Sequence, residues 1–131
     1  MKVRDITAAI EEFAPLGLQE AYDNSGLIVG RPTDEVSKAL LAVDVTDEVM
    51  DEAEREGCDM IITHHPIIFH ALKRFNSANV VERCVERAIR KGIALAVIGS
   101  AQSGGNAVLP FSDLIRRNGT VGNIDFIHGT L

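Results

Sequence analysis

The sequence predicts one α/β domain over residues 1–131, in which a mostly parallel sheet lies between flanking helices in three layers. Three short apolar segments, 38–45, 59–63 and 93–99, have the composition of strands that are buried on both faces. Amphipathic segments of helical spacing separate them. The resulting order of strand, helix, strand, helix, strand favours right-handed crossovers and a parallel sheet.

The first helix is predicted over residues 4–13, where Ile6, Ile10 and Phe13 recur at helical spacing. Residues 22–32 follow and are rich in turn formers, so they are interpreted as a turn region that leads into the first strand.

The second helix begins after Thr46, a suitable N-cap, and is expected to end at Gly57. Asp47 and Glu48 suit the positive end of its dipole.

The third helix is predicted over residues 79–91, where Asn79 and Glu82 have capping-box spacing and Gly92 marks the end. Beyond residue 98 the patterning weakens. The remaining segments are interpreted as a glycine-rich loop, a short helix and a final edge strand: 99–110, 111–119 and 123–131.

The composition excludes several functional classes. A net charge of −6 and a pI near 5.1 argue against a nucleic-acid-binding surface. The sequence opens without a signal peptide and contains no apolar run of the ~20 residues that cross a bilayer, so we expect a cytoplasmic protein with no membrane partner. Cys58 and Cys84 are interpreted as reduced thiols rather than a disulfide.

The segment IITHHPIIFH, residues 61–70, contains the strongest candidate site. His64 and His65 directly follow the second strand, and open parallel sheets bind ligands beyond the carboxyl ends of their strands. Asp44 lies at the corresponding end of the first strand. Imidazole is a common ligand of Zn, Fe and Ni, and carboxylates balance the charge of such sites. The alternative is that both histidines only cap the strand and bond to nearby backbone.

The orientation of the two histidines decides how many metal ions they serve. In an extended chain adjacent side chains face opposite ways, so each ring could serve a different ion, whereas a turn before Pro66 leaves their directions open. Two metal ions ~3.5–4 Å apart can activate a bridging water for hydrolysis. His70 fits a surface or helix-start role, and His128 is assigned no ligand role.

Other patterns are weaker. Residues 23–26, DNSG, fit a binding turn or a plain tight turn, and residues 44–46 fit either a ligand-orienting segment or a strand end with a helix cap. The glycine-rich residues 99–105 lack the spacing of phosphate-binding loops. The sequence contains no G-x-S-x-G, and neither cysteine has a histidine nearby, so no nucleophile is predicted.

Several of these segments together resemble the Ngg-interacting factor three-like family, whose bacterial members are named GTP cyclohydrolase I type 2 homologues. The resemblance covers residues 4 to about 98. In the family's order, the matching segments are DITAAIEEFAPLGLQEAYDNSGLIVG, LLAVDVT, GCDMIITHHPIIFHALKRF and VVERCVERAIRKGIAL. The resemblance implies a metal-dependent hydrolase with up to two divalent ions of the Zn, Fe, Mn or Ni class. It also implies a toroidal homo-hexamer and a nucleotide-like substrate, with His64 and His65 as metal ligands.

Residues 99–131 depart from the family pattern. The family continues its third strand into a His-Thr-Asn-Leu-Asp motif, but the aligned residues 99–103 read Gly-Ser-Ala-Gln-Ser. The second half of the family supplies a His-x-x-x-Glu pair, and this sequence has no glutamate after Glu86. Of the usual ligands, His64 and His65 remain, and Asp44 or a second chain could substitute for the others.

Three hypotheses follow from the sequence. The first is a metal-dependent hydrolase that acts through a dinuclear centre. The alternative is a shortened, catalytically inactive member that binds metal and acts through assembly or partner contacts. The third is a truncated or frame-altered product of a longer gene, which the change of character at residue 99 motivates.

Overall fold

The computed structural model describes residues 1–13, 24–98 and 124–129. Within these ranges the fold is the predicted mixed α/β arrangement. The helices and strands, in chain order, are α1 (Val3–Phe13), β1 (Gly26–Val29), β2 (Lys38–Ala42), α2 (Asp47–Arg55), β3 (Met60–Thr63), α3 (Val80–Lys91), β4 (Ala94–Val97) and β5 (Asp125–His128).

The five strands form one sheet in the order β1-β4-β3-β2-β5. The pairs β2–β3, β3–β4 and β2–β5 are parallel, and β1 runs antiparallel to β4 at one edge. The predicted final edge strand is therefore confirmed as β5, which pairs with β2. The mostly parallel sheet and its flanking helices confirm the predicted fold class.

The central strands are buried on both faces because side chains alternate between two cores. On one face, Ala39 and Leu41 of β2 pack with Ile6 and Ile10 of α1. On the other face, Leu40 of β2 packs with α2 and α3. Two apolar clusters separated by one sheet make the predicted three layers.

The helix ends follow the predicted caps. The Thr46 hydroxyl accepts a hydrogen bond from the Val49 amide at 3.1 Å, and the Asn79 side-chain oxygen accepts one from the Glu82 amide at 3.0 Å. Gly92 ends α3 in the left-handed conformation at φ 68°.

The turn interpretation of residues 22–32 is wrong at its centre, where the chain forms β1. This strand has four residues and is followed by Gly30, so turn-forming residues conceal it in the sequence. A Cβ atom at Gly30 would lie 2.9 Å from the Cβ of Ala94, which explains why a glycine is needed where β1 leaves β4.

Candidate metal centre

The carboxyl ends of β2 and β3 meet at one edge of the sheet, here called the carboxyl edge. Ala42 at the end of β2 is paired with Thr63 at the end of β3. Asp44 therefore leaves β2 beside the point at which His64 and His65 leave β3. The parallel pairing brings together the three residues that the sequence placed at strand ends.

Backbone contacts continue this pairing past the last residue of each strand. The His65 amide donates to the Val43 carbonyl at 3.0 Å, and the Ile98 amide donates to the Thr63 carbonyl at 2.9 Å. The hydroxyl of Thr63, a buried side chain, donates to the His65 carbonyl at 2.8 Å. These bonds turn the chain immediately after β3 and fix the backbone that carries both imidazoles.

This turn also determines the direction of the two rings. The ring centroids of His64 and His65 are 4.7 Å apart and the ring planes are inclined by 44°. The two rings therefore lie near each other, so of the two alternatives left by the sequence, an extended chain or a turn before Pro66, the turn applies. Both rings can address one region of the carboxyl edge.

Asp44 holds the ring of His65. The Nδ1 atom of His65 lies 2.8 Å from Oδ1 of Asp44, and both side chains are more than half exposed, at 57% and 55%. When Nδ1 carries the proton, it donates to the carboxylate and the lone pair is on Nε2. Such a carboxylate partner fixes the tautomer and orientation of metal-binding histidines. Sequence reasoning placed Asp44 at this edge but could not assign it this bond.

The other candidate residues lie apart from this pair or in other roles. His70 is exposed and stands edge-on to Phe69, with ring centroids 5.5 Å apart, in keeping with a surface role. The backbone of His128 belongs to β5, and its side chain lies outside the described residues. Thr46 caps α2, so at this end of residues 44–46 the helix-cap alternative applies. Residues 99–105 lie outside the described ranges.

The thiols are unsuited to nucleophilic chemistry. Cys58 and Cys84 are both free and buried, and burial raises the pKa of each to about 11. The thiolate is the reactive form of cysteine, and it is scarce at neutral pH when the pKa is that high.

The ligand set at the carboxyl edge fits a metal ion only in part. Within residues 1–13, 24–98 and 124–129, no group of three or more His, Cys, Asp or Glu side chains is arranged to hold a metal ion. Catalytic zinc usually has three protein ligands. The two imidazoles are therefore a partial site, with Asp44 engaged by Nδ1 of one of them.

Comparison with known proteins identifies the family of this chain. Residues 1–100 match the sequence model of the Duf34/NIF3 (NGG1p interacting factor 3) family. The chain belongs to this family.

Two curated relatives illustrate the extent of the match. A GTP cyclohydrolase 1 type 2 homolog of Clostridium perfringens is 39% identical over 95 residues, which are 72% of this chain and 36% of the relative. The NIF3-like protein 1 of Bos taurus is 34% identical over 96 residues, or 72% of this chain and 26% of that protein. This chain thus spans between about a quarter and just over a third of these two relatives.

Solved structures agree in fold. A Bacillus cereus protein related to NIF3 superposes with a TM-score of 0.70 and 34% identity, over 75% of this chain and 27% of that one. Reduced HcgD from Methanocaldococcus jannaschii gives a TM-score of 0.68 and 34% identity, over 74% of this chain and 39% of that one. In the described part of this family member, no helix is long and apolar enough to cross a membrane.

Proposed function

We propose that this chain is a divalent-metal-binding family member that holds an ion of the Zn, Fe, Mn or Ni class through His64 and His65. The observation that carries the proposal is the pair of imidazole rings, with centroids 4.7 Å apart, at the carboxyl ends of the parallel strands β2 and β3. Neutral imidazole suits these metals, and this edge is where open α/β sheets bind their ligands.

The chain's own residues prepare this pair for a metal. When Nδ1 of His65 carries the proton, it donates a hydrogen bond to the Asp44 carboxylate, which leaves Nε2 of that ring to bind the ion. The Thr63 hydroxyl holds the His65 carbonyl, so the backbone between the two rings is fixed before any ion arrives. A bound metal would supply a Lewis acid and a water of lowered pKa.

The number of ligands favours weak metal binding and little or no turnover by this chain alone. Two protein ligands are fewer than the three that catalytic zinc usually has, and Ser103 stands where the family resemblance implies an aspartate. We therefore favour a catalytically inactive member that acts through metal binding and through assembly or partner contacts. Homo-oligomerisation is part of this proposal, because further copies could add ligands. The buried free thiols support a cytoplasmic location.

A metal-dependent hydrolase that acts on a nucleotide-like substrate is the second candidate. The name of the Clostridium perfringens relative, GTP cyclohydrolase 1 type 2 homolog, favours it. Turnover of GTP by the metal-loaded protein, lost in the His64→Ala/His65→Ala double variant, would establish this candidate over the inactive one.

Calorimetric titration of chelator-treated protein with Zn²⁺ tests metal binding itself. We expect the wild type to bind zinc and the double variant to lose that binding. His70→Ala is the matched control, because His70 is an exposed histidine of the same segment and should leave the titration unchanged. Equal zinc binding by the wild type and the double variant would refute the proposal.

A further inference from the structure

Asn24 lies at the carboxyl edge although it is distant in sequence from the two histidines. The strand that follows it, β1, runs antiparallel to β4, so its first residue, Gly26, pairs with Val97 at the end of β4. Thr63 at the end of β3 pairs with the same Val97. The chain that enters β1 and the chain that leaves β3 therefore share one edge of the sheet.

A side-chain hydrogen bond joins these two chain segments. Nδ2 of Asn24 donates to the carbonyl oxygen of Ile68 at 2.9 Å in a partly buried position, across 44 residues of sequence. Ile68 belongs to residues 64–70, which follow β3 and form neither helix nor strand; they are called here the histidine segment.

The histidine segment is thereby held at both ends. Near its start, the Thr63 hydroxyl and the Val43 carbonyl bond to the backbone of His65. Near its end, the amide group of Asn24 holds Ile68. A segment outside helices and strands lacks their repeating backbone hydrogen bonds and has many alternative conformations. Each hydrogen bond that anchors it removes some of these conformations before a ligand binds.

We propose that Asn24 is a positioning residue for the metal-binding pair. The proposal rests on the proposed function of His64 and His65 and adds a residue from another part of the chain to it. Asn24 is not proposed as a metal ligand; its bond to Ile68 restricts the backbone that carries the imidazoles. It also assigns a role to Asn24 within the sequence DNSG, for which the sequence left a binding turn and a plain turn as alternatives.

Asn24→Ala removes the donor, and Asn76→Ala is the matched control at an exposed asparagine in the stretch before α3. Asn24→Gln retains a side-chain amide donor and tests for rescue. Amide hydrogen exchange of metal-free protein reports on the histidine segment. Zinc titration reports on the binding pair.

We expect Asn24→Ala to speed exchange of the His65 amide, which bonds to the Val43 carbonyl within the histidine segment, by about three- to tenfold, the effect of losing one hydrogen bond. Amides of the core strands β3 and β4 should exchange as in the wild type. Zinc affinity should fall by a similar factor. Asn24→Gln should recover part of both effects, and Asn76→Ala should show neither.

Unchanged exchange in the histidine segment would overturn the proposal. Acceleration of the β3 and β4 amides by the same factor would overturn it as well, because it would mark a general loss of stability. A wild type that binds no zinc would refute the proposed metal function, and the exchange comparison would then decide the anchoring role of Asn24 independently.

Discussion

The two ends of the β2–β3 pair use aspartate in different ways. At the amino end, Oδ2 of Asp59 accepts hydrogen bonds from the Ser37 amide and the Ser37 hydroxyl, both at 2.9 Å, and from the Lys38 amide at 3.3 Å. The backbone carbonyl of Asp59 also accepts from the Ala94 amide at 2.9 Å, so this residue connects the starts of three strands. At the carboxyl end, Asp44 bonds to the imidazole of His65, and both groups remain more than half exposed.

This difference separates Asp59, a structural carboxylate, from Asp44, for which we propose a role in metal binding. A carboxylate surrounded by donors of its own chain stabilises the fold and has little capacity left for a ligand. An exposed carboxylate–imidazole pair contributes little to stability, because water competes for both partners. The bond from Asp44 orients the His65 ring, and this orientation matters only if a ligand binds that ring.

Replacement of Asp59 should have the largest effect on stability. Asp59→Ala removes the acceptor for three donors, and we expect the free energy of unfolding to fall by about 2–3 kcal/mol. Urea denaturation measures this change. Asp59→Asn keeps the size and one oxygen acceptor and should lose less, while zinc affinity stays the same in both variants. A loss below about 0.5 kcal/mol would show that the amino end is not held by this carboxylate.

Substitution of the glycines in the turns before β3 and β4 should lower the free energy of unfolding by less than Asp59→Ala does. Gly92 has φ 68°, and an added Cβ would meet nothing within 4 Å, so Gly92→Ala introduces backbone strain without a clash. We expect a loss of about 1 kcal/mol in thermal or urea unfolding. Gly57 offers a matched position at φ 69° with the same open space, and Gly57→Ala should give a similar loss. Two variants as stable as the wild type would contradict this explanation.

The smallest change in stability is expected at the carboxyl end. Asp44→Ala should alter the free energy of unfolding by less than about 0.5 kcal/mol, because the pair with His65 is exposed. Zinc affinity should nevertheless fall about tenfold, since the ring of His65 loses the partner that orients it. Asp44→Asn keeps an oxygen acceptor and should retain more affinity. A loss of stability equal to that of Asp59→Ala, with zinc affinity unchanged, would erase the distinction between the two ends.

The sequence predicted those parts of the fold that local patterns determine. The apolar runs of β2, β3 and β4 and the caps at Thr46 and Asn79 are readable because each depends on residues within one turn or one strand. The strand β1 was missed because its four residues are followed by a glycine and preceded by turn formers. The position of β5 beside β2 depends on pairing between distant segments, which no local pattern encodes.

For the candidate site, the sequence predicts the position of the histidines but not the contacts that orient them. His64 and His65 were found because they directly follow a buried strand, but their side-by-side rings depend on the turn made by the Thr63 hydroxyl. The bond from Asp44 to His65 and the bond from Asn24 to Ile68 span 21 and 44 residues. Both become visible only when the strand order and direction are known.

Metal content per chain decides whether His64 and His65 form a partial metal site. Elemental analysis of protein dialysed against a small excess of Zn²⁺ should give less than about one equivalent per chain, the result expected of two imidazoles without further ligands. The His64→Ala/His65→Ala variant should give none. About two equivalents per chain, lost in that variant, would contradict the account by showing a complete two-metal centre. Zinc retained equally by the variant would contradict the assignment of His64 and His65 as its ligands.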